Sequence, residues 1–213
     1  MERGSNAALH NHQDFMAEKF LKLLVTPSVA RAQEHYYGHA QQFSGGAKRD
    51  ALTDDEAQFI QSRDSFYLST ISESGWPYVQ HRGGKPGFLH VVNPTTLAFA
   101  DYKGNRQMLS TGNLAVNDRV CLFLMDYPQR TRLKILGHAR TEDARQHPEL
   151  VARFATPDVQ RIVERVFLIE VVSFDWNCPK YITPRYTATE VEEAVTPLRQ
   201  RIAELEAELK NKN

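Results

Sequence analysis

The sequence predicts a mainly β fold, an antiparallel barrel or sandwich with helices before and after it. Three observations carry that reading. Seven short runs rich in Val, Ile, Leu, Phe and Tyr follow one another from Phe66: "FYLSTI", "PYVQHR", "FLHVV", "TLAFA", "RVCLFLM", "RLKILGHAR" and "VFLIEVVSF". Gly, Pro, Asn or Ser separates most of them, and "SESGWP" and "NPTT" have the chemistry of turns. Few helical patterns lie between them, whereas a parallel sheet needs a crossover helix after nearly every strand. A small barrel of six or seven strands satisfies all three.

The elements follow in order. "DFMAEKFLKLLV" repeats apolar positions at helical spacing through Phe15, Met16, Phe20, Leu23 and Leu24. In "TPSVARAQEHYYG", Thr26 is placed to cap a helix, Pro27 to open it and Gly38 to stop it. "QQFSGGAKRD" reads as a loop, and Thr53 with Glu56 three residues on forms a capping box for a short helix. Between the strands, a helix is expected over Asn105 to Asn113, and "DARQHPELVARFATPDVQRIVERV" is helical by pattern. The tail "TATEVEEAVTPLRQRIAELEAELKNKN" spaces Leu198, Ile202, Leu205 and Leu209 by four, three and four, a short coiled-coil seam on a charged helix. Packing of that helix on its own domain is an equal alternative. The organisation expected is a helical extension over 1–50, a barrel domain over 51–186 and a C-terminal helix over 187–213.

Composition narrows the function. The chain has 213 residues, 41% of them hydrophobic, enough for a domain that buries roughly 70% of its unfolded surface. Lys+Arg and Asp+Glu stand at 26 each, so no net charge points to nucleic acid or an acidic membrane. No apolar run approaches the ~20 residues of a membrane span, and "MERGSNAALHNHQDF" lacks a signal-peptide core. A soluble cytoplasmic protein is expected. Cys121 and Cys178 suggest neither a disulfide framework nor a metal site. Cys121 lies in an apolar run as an inert thiol, while Cys178 sits in the polar "DWNCPKYI" loop.

Several motifs are weak alone. "RGGKPG" lacks the P-loop spacing, and Pro86 stands where a helix should begin. His35 and His39 share a helical face, but no third ligand joins them, and His10 and His12 lie in the terminus. No metal is expected. A G-x-S-x-G elbow is absent, and the acids of "TDDEA" are explained by capping. In "PYVQHR", Tyr78, Gln80 and Arg82 share one strand face. "DYKGNRQ" is the most suggestive stretch. Gly104 permits a tight turn, and Arg106 in a first helical turn opposes the helix dipole unless an anion is bound there. A phosphate would take hydrogen bonds from free amides, from Asn105 and, bidentately, from Arg106.

The order of "FYLSTISESGWPYVQHRGGKPGFLHVV", "LAFADYKGNRQ", "RLKILGHAR" and "FDWNCPKYITPR" resembles the FMN-binding split β-barrel family related to pyridoxamine 5'-phosphate oxidase, and within it the bacterial flavin-nucleotide-binding branch of unassigned substrate. The resemblance runs from about Leu52 to Arg185. It implies a six-stranded antiparallel split barrel and a homodimer with FMN between subunits. By resemblance, Gln80, His81 and Arg82 lie near the flavin, and Asn105, Arg106 and Gln107 hold its phosphate with Tyr102 close by. The same resemblance implies that Arg132 makes a polar flavin contact from the other subunit and that Trp176 closes the groove. The oxidase's C-terminal Arg/His motif is missing, so Lys180 and Arg185 are left as candidates for a substrate anion.

The function expected is an FMN-dependent oxidoreductase acting on a small organic substrate or a reduced nucleotide. Two alternatives stay open. One is a non-catalytic flavin-binding, storage or sensor module. The other is a barrel for haem or a deazaflavin, for which His81 and His138 are the residues in view.

Overall fold

The computed structural model describes residues 19–43, 50–176 and 180–212. His10, His12, Phe15, Met16 and Cys178 lie outside them. By internal packing the chain divides between two compact units, Met1–Met125 with Arg132–Cys178 and Asp126–Thr131 with Pro179–Asn213.

In the first unit, residues 19–24 are helical (α1) and α2 runs over Pro27–Tyr37, entered from Thr26 with Pro27 in its first turn and ended by Gly38. Helix α3, Asp54–Gln61, opens on the expected capping box: the Thr53 N–H donates to Glu56 Oε2 at 2.9 Å. Glu56 is buried, and its other oxygen accepts from Trp176 Nε1 at 2.7 Å, so this interior carboxylate is hydrogen-bonded through both oxygens.

Seven strands form one sheet: β1 Ser65–Ile71, β2 Pro77–Gly83, β3 His90–Asn93, β4 Thr96–Tyr102, β5 Arg119–Asp126, β6 Thr131–Asp143 and β7 Val163–Trp176. Their order is β2-β1-β5-β6-β7-β4-β3, and β1–β2, β1–β5, β3–β4, β4–β7 and β6–β7 pair antiparallel. The expected count of six is corrected to seven, because the short β3 pairs with β4 and adds an edge. The order is that of an open sheet, strongly curled: Phe66 and Leu68 of β1, Leu122 of β5, Ile135 of β6, Phe167 and Phe174 of β7 and Phe99 of β4 close on one core. Burial of that apolar surface is the main term holding the curl.

A bulge shapes the longest pairing. Leu136 faces Ser173 but Gly137 faces Val171, so Val172 is the extra residue, and its carbonyl accepts from the Asp50 N–H at 3.1 Å. A side chain at Gly137 would begin 2.7 Å from the Glu170 carbonyl oxygen, so the close approach of the two strands requires glycine there.

Two helix predictions are corrected. The helix expected over Asn105 to Asn113 is only α4, Leu109–Leu114, because Asn105 Oδ1 accepts from the Gln107 N–H at 3.1 Å and Arg106 and Met108 are left-handed (φ 61° and 59°). A local side-chain bond has taken the place of the first helical turn. The pattern "DARQHPELVARFATPDVQRIVERV" yields only α5, Pro148–Phe154, and one 3-10 turn at Gln160–Ile162. Its last residues are strand, since Val163 and Val166 pair with Tyr102 and Ala100. Long-range pairing has overridden local propensity there.

The second unit contains α6, Ala188–Lys212, with Pro197 inside it. The Thr187 N–H donates to Glu190 Oε2 (2.7 Å) and Glu190 N–H returns to Thr187 Oγ1 (3.2 Å), a second capping box. Leu198, Ile202, Leu205 and Leu209 are exposed along the helix.

Candidate functional site

The alternation of β2 builds the site. Arg82, Gln80 and Tyr78 pair with Phe66, Leu68 and Thr70 of β1, whose side chains are buried in the core, so the three polar residues turn to the inner face of the curled sheet. On β4 the inward run ends in Asp101, a buried carboxylate in an otherwise apolar strand. Arg82 Nη1 donates to its Oδ1, and Arg165 Nη1, from the paired position on β7, donates to its Oδ2 at 2.8 Å. The Arg82 guanidinium also lies over the rings of Phe99 (5.6 Å) and Phe167 (5.1 Å). Burial raises the Asp101 carboxyl above the usual carboxylate range, and the two arginines oppose that shift.

Helix α4 is seated on these strands through its polar side chains. Ser110 Oγ donates to Gln80 Oε1 (3.0 Å), Asn113 Nδ2 donates to Thr70 Oγ1 (2.8 Å), and Arg165 Nη1 reaches Thr111 Oγ1 at 3.4 Å. The loop before α4 is tied to itself, because Asn105 accepts from the Gln107 N–H and donates to Gln107 Oε1 (3.2 Å). Two left-handed residues in that loop hold a backbone shape that costs about 1–3 kcal/mol at each such position, and strain of this kind gathers at binding sites.

The result is a cleft of about 170 Å³. Its walls carry Arg82, Arg106 and Arg165 against Asp101 and Glu164, so the balance is cationic. Arg106 is exposed and has no carboxylate partner among the described residues. Arg82 Nε is buried without a hydrogen-bond partner among them. Tyr102, Ser110 and Thr111 add hydroxyls. Burial, then the Asp158 carboxylate, pushes the Tyr102 phenol up, so that it stays a proton donor. Beyond Arg106 and Arg165 the cleft widens into a groove of about 640 Å³ that reaches Thr141, Asp143 and Arg145. Such a surface suits an anion first and a polar chain after it.

The model of the pyridoxamine 5'-phosphate oxidase family matches residues 52–175, more than half of the chain. The chain belongs to the pyridoxamine 5'-phosphate oxidase family. No curated protein matches it. Among solved structures it is similar to a pyridoxamine 5'-phosphate oxidase-like protein of Lactobacillus delbrueckii (20% identity, TM-score 0.45, covering 58% of this chain and 93% of that one). It is also similar to HupZ of Group A Streptococcus (12%, 0.44, 58% and 91%) and to an FMN-binding protein of Syntrophomonas wolfei (9%, 0.40, 57% and 86%).

In this pyridoxamine 5'-phosphate oxidase family member, Gln80, Arg82, Tyr102, Asn105, Arg106 and Gln107 all line the one cleft. The other residues singled out in the sequence lie elsewhere. His81 pairs with Tyr67 on the opposite sheet face, ring against ring at 5.6 Å. Arg132 lies over Phe123, and Phe123 pairs with Tyr67, so all four stand on that outer face. Trp176 packs edge-on against Phe59 (4.8 Å) and bonds to Glu56. His138 Nδ1 is 2.9 Å from Asp118. Lys180 and Arg185 are exposed and belong to the second unit, where the Arg185 guanidinium lies over Tyr127 at 5.0 Å. Cys121 is half-buried, and burial raises its thiol. Among the described residues no cluster of His, Cys, Asp and Glu could hold a metal, and no helix is long and apolar enough to cross a membrane.

Asp101, Ser110, Thr111, Glu164 and Arg165 are the polar lining residues that the sequence reading missed. Asp101 carried a legible signal, a charge that ends the apolar run "LAFA". Arg165 did not, because its register against β4 is visible only in the folded sheet.

Proposed function

We propose that the protein binds FMN by its 5'-phosphate in the arginine-lined cleft and is an FMN-dependent oxidoreductase. The observation that carries this is the convergence of Arg106, without a carboxylate partner, and the buried, unpartnered Arg82 Nε on one small cationic cleft in a family related to a flavin enzyme. The residues fit the group. Arg106 would bind the phosphate as a charged fork, and Tyr102 would donate to it as a neutral phenol. Gln80 Oε1 is occupied by Ser110, which leaves the Gln80 amide to donate toward the ligand. Asp101 fixes Arg82 and Arg165 and keeps their charges from repelling one another.

At about 170 Å³ the cleft suits the phosphate end of the cofactor, so the isoalloxazine would extend past it. The outer face with His81 and Arg132 then serves as the surface on which a second subunit meets the first, and Arg132 reaches the flavin of the partner. Bound flavin supplies the redox chemistry, and the protein supplies anchoring, orientation and exclusion of water. The absent C-terminal Arg/His motif argues for a substrate other than pyridoxamine phosphate. We place the protein in the cytoplasm.

The test is the visible spectrum of freshly purified protein, followed by chromatography of what denaturation releases. Flavin bands with released FMN support the reading. A colourless protein that also fails to take up added FMN overturns it, and a Soret band replaces it with haem. Turnover with reduced nicotinamide nucleotide and an acceptor separates an enzyme from a module that only stores flavin.

A further inference from the structure

A second, chemically different pocket lies on the far side of Tyr102. It holds about 390 Å³ against 170 Å³ for the cleft, and among the described residues the two share only Tyr102. Its walls come from the 84–88 connection, from β3 and from the end of α5. Phe88 stacks on the core residue Phe66 (5.6 Å) and lies so close to Gly84 that a Cβ there would meet the ring at 2.6 Å. Phe154 is buried, with the His90 ring 5.3 Å away and His90 Nε2 donating to the Phe154 carbonyl at 3.3 Å. Both phenyl walls are therefore anchored on the sheet, and the pocket is preformed.

The rim is cationic where the walls are apolar. The Arg153 guanidinium lies over the Phe154 ring at 5.1 Å and has no carboxylate partner among the described residues. Lys85 has Asp158 at 3.5 Å, but both side chains are largely exposed, and such pairs hold weakly. Two cations against one carboxylate leave one positive charge at the mouth. A cavity of this size takes a single ring with a short chain, and pockets of ~300–1,000 Å³ with apolar walls and few polar groups are the usual form of small-molecule sites.

We propose that this pocket binds a small aromatic carboxylate, its ring against Phe88 and Phe154 and its carboxylate at Arg153. The site is separate from the phosphate cleft and stands whether or not that cleft holds flavin.

The experiment is a saturation-transfer NMR titration of the full chain with phenylacetate, with 2-phenylethanol as the uncharged analogue and inorganic phosphate as competitor. Phenylacetate should bind, and 2-phenylethanol should bind about tenfold more weakly, the size expected for one charged hydrogen-bonded contact. Arg153→Gln, at an exposed position, should weaken phenylacetate about tenfold and leave 2-phenylethanol unchanged. Val159→Trp should fill the pocket and abolish both. Equal affinity for the two probes, or phenylacetate binding that is untouched by Arg153→Gln, overturns the proposal. Displacement by phosphate that Arg153→Gln leaves unchanged also overturns it, because the probe would then lie in the arginine cleft.

Discussion

Arg165 and Asp101 are direct cross-strand partners on β7 and β4, and their side chains meet at 2.8 Å beneath the cleft. Arg82 reaches the other oxygen of the same carboxylate from the opposite end of the sheet order. One acid thus pins two cations at the floor of the cleft. Asp101→Asn leaves both guanidinium groups facing each other with side chains only 12–13% exposed. Removing one partner of a buried pair costs about 3–5 kcal/mol. Urea unfolding should register a loss of about 3 kcal/mol, partly restored by added phosphate. A change within about 1 kcal/mol would show that the carboxylate is dispensable.

Arg106 offers the converse case. It is exposed, left-handed and without a carboxylate partner among the described residues, so its charge does little for the fold. Arg106→Ala should leave the melting temperature nearly unchanged and weaken FMN by about 10- to 100-fold, as expected when a charged hydrogen bond is lost. Flavin retained in stoichiometric amount by the variant, read from its absorbance, would remove Arg106 from the phosphate site.

These two residues mark what the sequence could and could not convey. Alternation alone put Tyr78, Gln80 and Arg82 on one face, and "YKGNRQ" suggested a cradle for an anion from its residues, most of which the fold brings to the same cleft. The backbone of that loop was not legible. Helical periodicity suggested amides in a first turn at Arg106, whereas the Asn105–Gln107 bond delays the helix to Leu109. Arg165 was hidden for a different reason, since "VERV" suits a helix end locally and becomes strand only by pairing with β4. Resemblance grouped His81 with Gln80 and Arg82, although strand alternation turns its ring to the other face. Seven apolar runs were visible in the sequence, while the edge pairing of β3 was not.

Tyr102 gives a test that needs no ligand. Burial and the Asp158 carboxylate raise its phenol above the ordinary value of 10, with Lys85 opposing. Because the folded-state value is the higher one, the stabilisation is complete below pH 10 and is lost as pH rises through the folded value. An ultraviolet difference titration of the protein against Tyr102→Phe should give a midpoint above 10. A midpoint below 10 would mean that the phenol is not desolvated between the two pockets.

The outer face of the sheet carries the last prediction. Val79, Tyr67 and Ile71 are exposed at 58%, 39% and 38%, beside His81, Phe123 and Arg132. Apolar side chains grouped on a sheet face are the usual core of a subunit contact, and a stable one buries about 800 Å² on each partner. Sedimentation should report a dimer, and Val79→Glu should shift it toward monomer because a charge would be buried at the contact. If Arg132 completes the flavin site of the partner, the same variant should lose FMN although Val79 lies outside the cleft. A monomer that keeps tightly bound flavin would separate the cofactor site from any subunit contact and leave Arg132 with no part in it.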